Sequence, residues 1–108
     1  MTIKWVKVDP LVMSGEPFLH NSRLTVRQLL ELRANGYTLV DLLKDHPELR
    51  WTGIAAAYCY AADHPDRYAA FLEPDGSLRG PGYSEAEAAR LPAQYRRPGI
   101  VIKPAVAA

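Results

Sequence analysis

Between Thr25 and Asp63 the chain carries a helix start or stop signal at every joint, so close together that only short helices and tight turns fit between them. Thr25 is placed to N-cap a helix running to about Asn35, with Val26, Leu29 and Leu30 on one face. Asn35-Gly36 ends it in the manner of a left-handed cap. Thr38, with Asp41 at the matching position of a capping box, opens a second helix whose apolar stripe is Leu39, Leu42 and Leu43. His46-Pro47 stops that helix, because the residue before a proline is pushed out of the α region. Thr52 reads as the cap of a third helix to about Asp63, with Ile54, Tyr58 and Ala61 at helical spacing. Three helices joined this tightly predict a helix-turn-helix-like core.

The flanks are less regular. Ile3 to Val8 reads as extended and is ended by Asp9-Pro10, since proline supplies no ladder donor. Ser14-Gly15-Glu16-Pro17 is a turn signal, and Phe18-Leu19-His20 can return as a second strand to complete a hairpin. Pro65 sits where a first helical residue belongs, so Pro65 to Leu72 is expected to form a fourth helix. Residues 73–108 hold nine Pro or Gly and read as a loop-rich extension to a 1–72 domain. Inside it, Ser84 and Glu87 form a capping box for one short helix to about Arg90, interrupted by Pro92. The expected fold is therefore mainly α, a three-helix core with a small N-terminal β-hairpin and a C-terminal extension.

Composition bounds the function. A chain of 108 residues makes one domain that can bury roughly two thirds of its unfolded surface without staples. Thirteen basic against twelve acidic residues give almost no net charge, which argues mildly against a dedicated nucleic-acid binder. The single cysteine, Cys59, allows no intramolecular disulfide and fits a reducing compartment. With no signal-like apolar run and no span of membrane length, a cytoplasmic protein without membrane association is expected.

The residues that carry chemistry are scattered. His20, His46 and His64 stand at no metal-ligand spacing, and no metal or cofactor is expected. Cys59 lies in an apolar helix between Tyr58 and Tyr60, with nothing at helical reach to depress its pKa. Asp41, Asp45, Asp63 and Asp66 fall at caps and helix ends, where the helix dipole or solvent accounts for them. Catalysis is not expected, and binding is. Arg23, Arg27, Arg33, Lys44 and Arg50 are the candidate nucleic-acid or partner contacts, with a solvated face as the competing reading. Arg27 and Glu31 are one turn apart and can pair; Arg23 can instead brace the Ser14–Pro17 turn.

The third helix contains no Arg, Lys, Asn or Gln, so it is not suited to reading base edges. A helix apolar nearly all round is buried in a core or an interface. A homodimer is expected on this ground, with Ile54, Ala57, Tyr58 and Ala61 as its contact face. In the extension Leu91, Tyr95, Ile100 and Ile102 are either anchors for a partner on which the segment folds, or pack back with Ile100–Ile102 beside Ile3–Val8.

The order Asp9-Pro10, Ser14-Gly15-Glu16-Pro17, Ser22-Arg23, Gly36-Tyr37-Thr38, His46-Pro47-Glu48-Leu49 and an Ala-rich helix resembles the domain of unknown function 433 family over about residues 6–72. The resemblance implies a homeodomain-like three-helix fold with a small N-terminal β element, in a bacterial or archaeal protein. It also implies an antitoxin-like role in a type II toxin–antitoxin pair, the presumed partner being a PIN-like ribonuclease, and it implies no catalytic residues. Where the family has a Gly-Thr-Arg step this chain has Asn21-Ser22-Arg23, and Asn tolerates the left-handed region the turn needs. The expected activity is antitoxin-like binding, with autoregulatory DNA binding by the dimer. A stand-alone DNA-binding regulator and a self-associating structural module are the rivals.

Overall fold

The computed structural model describes residues 4–103. Strand β1 (Val6–Lys7) pairs antiparallel with β2 (Phe18–Leu19), Val6 opposite Leu19 and Lys7 opposite Phe18. The extended reading of Ile3 to Val8 thus narrows to two paired residues, and Ile3 lies outside the described residues. The link between the strands turns through a short 3-10 segment, Met13–Gly15, where all three residues take positive φ. The far edge of β2 is occupied: Leu19 N–H donates to the Leu24 carbonyl at 3.0 Å and Val26 N–H to the Pro17 carbonyl at 2.9 Å. Asn21, at φ 61°, makes the intervening turn as anticipated for an Asn in the left-handed region.

Helix α1 (Val26–Ala34) starts at a full capping box: Thr25 accepts from Gln28 N–H while the Gln28 side chain accepts from Thr25 N–H. Gly36, at φ 95°, ends it. Helix α2 (Leu39–Asp45) has the Thr38–Asp41 box, which also holds the Asp41 carboxyl below its usual pKa through the bond from Thr38 N–H. Helix α3 spans Arg50–Asp63 and departs from expectation at its start. Thr52 caps nothing; Pro47–Leu49 forms a 3-10 turn that runs directly into α3, with Arg50 at φ 58° as the joint. An entry of this kind leaves no extended residue for a side-chain cap.

Pro65 to Leu72 does not form a fourth helix. It makes turns followed by a 3-10 segment at Ala69–Phe71. The cause is tertiary: Tyr68 is drawn wholly into the core, and Arg27 takes the Arg67 carbonyl at 3.0 Å, an acceptor that a helix would use internally. The expected Arg27–Glu31 pair is absent for the same reason. Helix α4 (Glu85–Ala88) has the Ser84–Glu87 box but stops short of Arg90, because the chain tightens there to turn Leu91 inward.

Helix α3 lies at the centre of the molecule. Gly53 through Cys59, and Ala61, are all buried. Trp5 packs so closely that a Cβ on Gly53 would stand 2.8 Å from its ring. One side of α3 is covered by α1 and the hairpin, the other by the extension, whose Leu78, Tyr83, Ala88, Leu91 and Val101 belong to the same apolar cluster. The extension is thus loop-rich but folded onto the core. Ile100–Ile102 does not reach β1; Ile102 bridges to Tyr83 in parallel sense and Val101 accepts from Tyr83 N–H at 2.8 Å. Two expectations are corrected by this burial. Ile54, Ala57 and Ala61 are fully covered and Tyr58 is 1% exposed, so the proposed dimer face is interior. Leu91 is likewise interior, and Tyr95, Ile100 and Ile102 are half-buried against this chain's own core rather than held out for a partner.

Candidate functional site

The five candidate cations separate into three environments. Arg33 faces inward from the last turn of α1 and is wholly buried. Its Nη1 donates to the Ile100 carbonyl at 2.6 Å, and its guanidinium lies 4.2 Å from the centre of the Tyr58 ring. Nε and Nη2 find no hydrogen-bond partner among the described residues. Burial pulls its pKa below the ordinary arginine value, only partly offset by Tyr58. Arg33 is therefore a latch between α1 and the extension, not a phosphate contact. Two glycines make room for it: a Cβ on Gly80 would stand 1.9 Å from the Arg33 carbonyl oxygen, and one on Gly82 3.1 Å from Arg33 Nη2.

Arg27 is half-buried and lies over the Tyr68 and Phe71 rings at 5.3 and 5.8 Å, so it too is engaged within the fold. Arg23, Lys44 and Arg50 are exposed. Arg23 makes no hydrogen bond or ion pair with a described residue, so it does not brace the Ser14–Pro17 turn. Arg23→Ala is accordingly expected to leave the melting temperature within the shift of an ordinary surface change, about 0.5 kcal/mol. A drop of several degrees in thermal melting would reinstate the bracing role.

The histidines stay apart. His20 sits edge-on to Trp5, His46 lies 3.5 Å from Glu48, and His64 stacks on Tyr60 at 4.1 Å. No group of three or more His, Cys, Asp or Glu is placed to hold a metal ion among the described residues. Burial pushes the Cys59 thiol pKa up, with Arg97 opposing, so the thiol is not activated.

Tyr83 donates its hydroxyl to the Trp51 carbonyl and packs edge-on to Tyr58. Desolvation pushes the Tyr58 pKa up to about 12 and raises those of Tyr68 and Tyr83. A phenol whose folded pKa is raised contributes stability that is whole below the unfolded value and lost as pH climbs toward the folded one. Stability is thus expected to fall from about pH 10 upward, by about 1.4 kcal/mol per pH unit for each phenol that unfolding lets ionise. Denaturant midpoints across that range check it, as does a share of the tyrosinate absorbance that appears only with unfolding.

One surface feature was not foreseen. Beside β1 runs an open groove of about 540 Å³, walled by Trp5 and Val6 on the strand side and by Ala56, Cys59, Tyr60 and Tyr95 opposite. Lys4 and Asp63 stand at its rim. At the other end of β1 the hairpin tip is apolar and open to solvent: Val8 is 56% exposed and Leu11 95%. Trp5 and Tyr60 were visible in the sequence, but Tyr95 is brought to them only by the folding back of the extension.

A three-helix, helix-turn-helix-like core with an N-terminal hairpin, closed by an extension and marked by an apolar groove and tip, defines a small α-rich domain. The family model described as a protein of unknown function (DUF433) matches residues 6–61, and the chain belongs to that family. The match runs from β1 nearly to the end of α3 and leaves the extension outside it. No curated protein and no solved structure matches the chain. No helix among the described residues is long and apolar enough to cross a membrane.

Proposed function

We propose that this protein is a non-enzymatic, antitoxin-like binding protein, the neutralising member of a type II pair whose toxin is a PIN-like ribonuclease in the bacterial cytoplasm. The observation that carries the binding part is the combination of the aromatic-walled groove and the exposed apolar hairpin tip on one small domain. Apolar surface of this kind suits a protein partner. The toxin's identity as a ribonuclease rests on the resemblance of the hairpin-to-α3 segment to its family. Co-expression of the full chain with the product of the adjoining reading frame tests it. Growth rescue with co-purification is the expected result, and a neighbour that is neither bound nor neutralised removes the antitoxin reading.

Autoregulatory DNA binding by a homodimer accompanies this proposal, and a stand-alone DNA-binding regulator is its rival. The exposed Arg23, Lys44 and Arg50 favour a phosphate contact, whereas the burial of α3 removes the helix that would enter a groove. A steep fall of DNA affinity with salt, together with a normal affinity for no neighbouring protein, would select the rival.

A further inference from the structure

We infer that this chain forms a two-fold dimer through the outer edge of β1, a second copy's β1 lying antiparallel in the groove beside it. The inference rests on the dimeric part of the reading above: the groove and tip that argue there for a protein partner are filled by the second copy, and a toxin would meet the dimer on another face. In the hairpin, His20 N–H donates to the Trp5 carbonyl at 2.8 Å, so Trp5 and Lys7 turn their main-chain groups toward β2. Val6, between them, turns its N–H and C=O the other way. Its opposite number Leu19 confirms the alternation by bonding outward to Leu24. No hydrogen bond from a described residue outside the hairpin reaches Val6. An unpaired strand edge is a template for another strand.

The choice of a second copy follows from the two ends of β1. The groove lies at the Lys4–Val6 end and the exposed Val8 and Leu11 lie at the other. A two-fold axis across the strand exchanges the ends, carrying each tip toward the partner's groove. Centred on Val6, the pairing sets Val8 against the partner's Lys4 stem and Lys7 against the partner's Trp5, whose ring lines the groove. Asp63 is the carboxylate of that wall, with 61% of its side chain exposed although its Oδ1 holds Arg97 at 2.9 Å. Each Lys7 therefore approaches one Asp63, twice per dimer. Pairing centred on Lys7 would instead oppose two ammonium groups.

Sedimentation equilibrium of the full chain at low to high micromolar concentration is expected to show a mass rising from 12.0 kDa to twice that value. Lys7→Glu and Asp63→Lys are each expected to weaken association about tenfold or more, because like charges then face each other across the seam. An equimolar mixture of the two variants should recover it, because both cross-dimer pairs are then of opposite charge. A mass of 12.0 kDa at every concentration overturns the proposal, as does a dimer indifferent to both substitutions or a mixture no better than its parts. Where the charge variants do not fold, Leu11→Asp at the exposed tip decides, and a dimer unaffected by it overturns the proposal. A chain ending at Lys103 that dimerises while the full chain does not would assign the groove to residues 104–108 instead.

Discussion

A chain ending at Leu72 is expected to give no cooperative thermal transition and to bind dyes that report exposed apolar surface. The truncation removes Leu78, Tyr83, Ala88, Leu91 and Val101 from the single core cluster and uncovers the face of α3 they hide. Burying one large apolar side chain is worth about 1.5–3 kcal/mol, so losing four of them costs on the order of 10 kcal/mol. A domain of this size has a net stability of about 5–15 kcal/mol, so the deficit takes most or all of it. Near-native far-UV circular dichroism with a sharp melt from the shortened chain would show that the helix-turn-helix segment folds alone.

Arg33→Ala carries the second large effect. It deletes a long, fully covered side chain, leaving a cavity of the kind that costs about 2–5 kcal/mol. It also removes the charged donor on the Ile100 carbonyl, worth about 1.5–3 kcal/mol. Relief from holding a guanidinium with two unmatched nitrogens away from water opposes both. The net loss should be about 2–4 kcal/mol, which at about 4–8 °C per kcal/mol is a fall in melting temperature well beyond that of any surface arginine. Arg33→Met keeps the apolar stem and sheds the charge, so it is expected to fall between Arg33→Ala and the native chain. Calorimetry of the two variants separates packing from latching. A melting temperature for Arg33→Ala as close to native as that of Arg23→Ala would sink the latch.

What could be read without the structure was what is decided locally. Three of the four helix starts announce themselves by a Ser or Thr whose hydroxyl meets an N–H one turn on, and Thr25, Thr38 and Ser84 all do so. Gly36 and Asn21 marked their turns by the same local logic. The errors came where a distant segment decides. Arg33 looked like a solvated cation because no carboxylate answers it; its acceptor is a main-chain carbonyl in the extension. The Ala-rich α3 looked like an interface because its cover follows in the chain as Leu78, Tyr83, Ala88, Leu91 and Val101, spaced by no single period. Tyr68 overrode the helical pattern after Pro65 by turning inward. The groove has no sequence signature because its walls come from β1, α3 and the 3-10 turn at Ala93–Tyr95, which no motif connects.

The bond from Arg33 to Ile100 closes a loop of 67 residues. Helices and the hairpin form on the scale of microseconds, but a closure this long must wait for the chain between its ends. At a synthesis rate of about 5–20 residues per second, the stretch from His64 to Val101 takes several seconds to appear after α3 is complete. For that interval the smooth apolar side of α3 has no cover from its own chain. The protein is thus born with its core open, and a segment made seconds later is the one that shuts it.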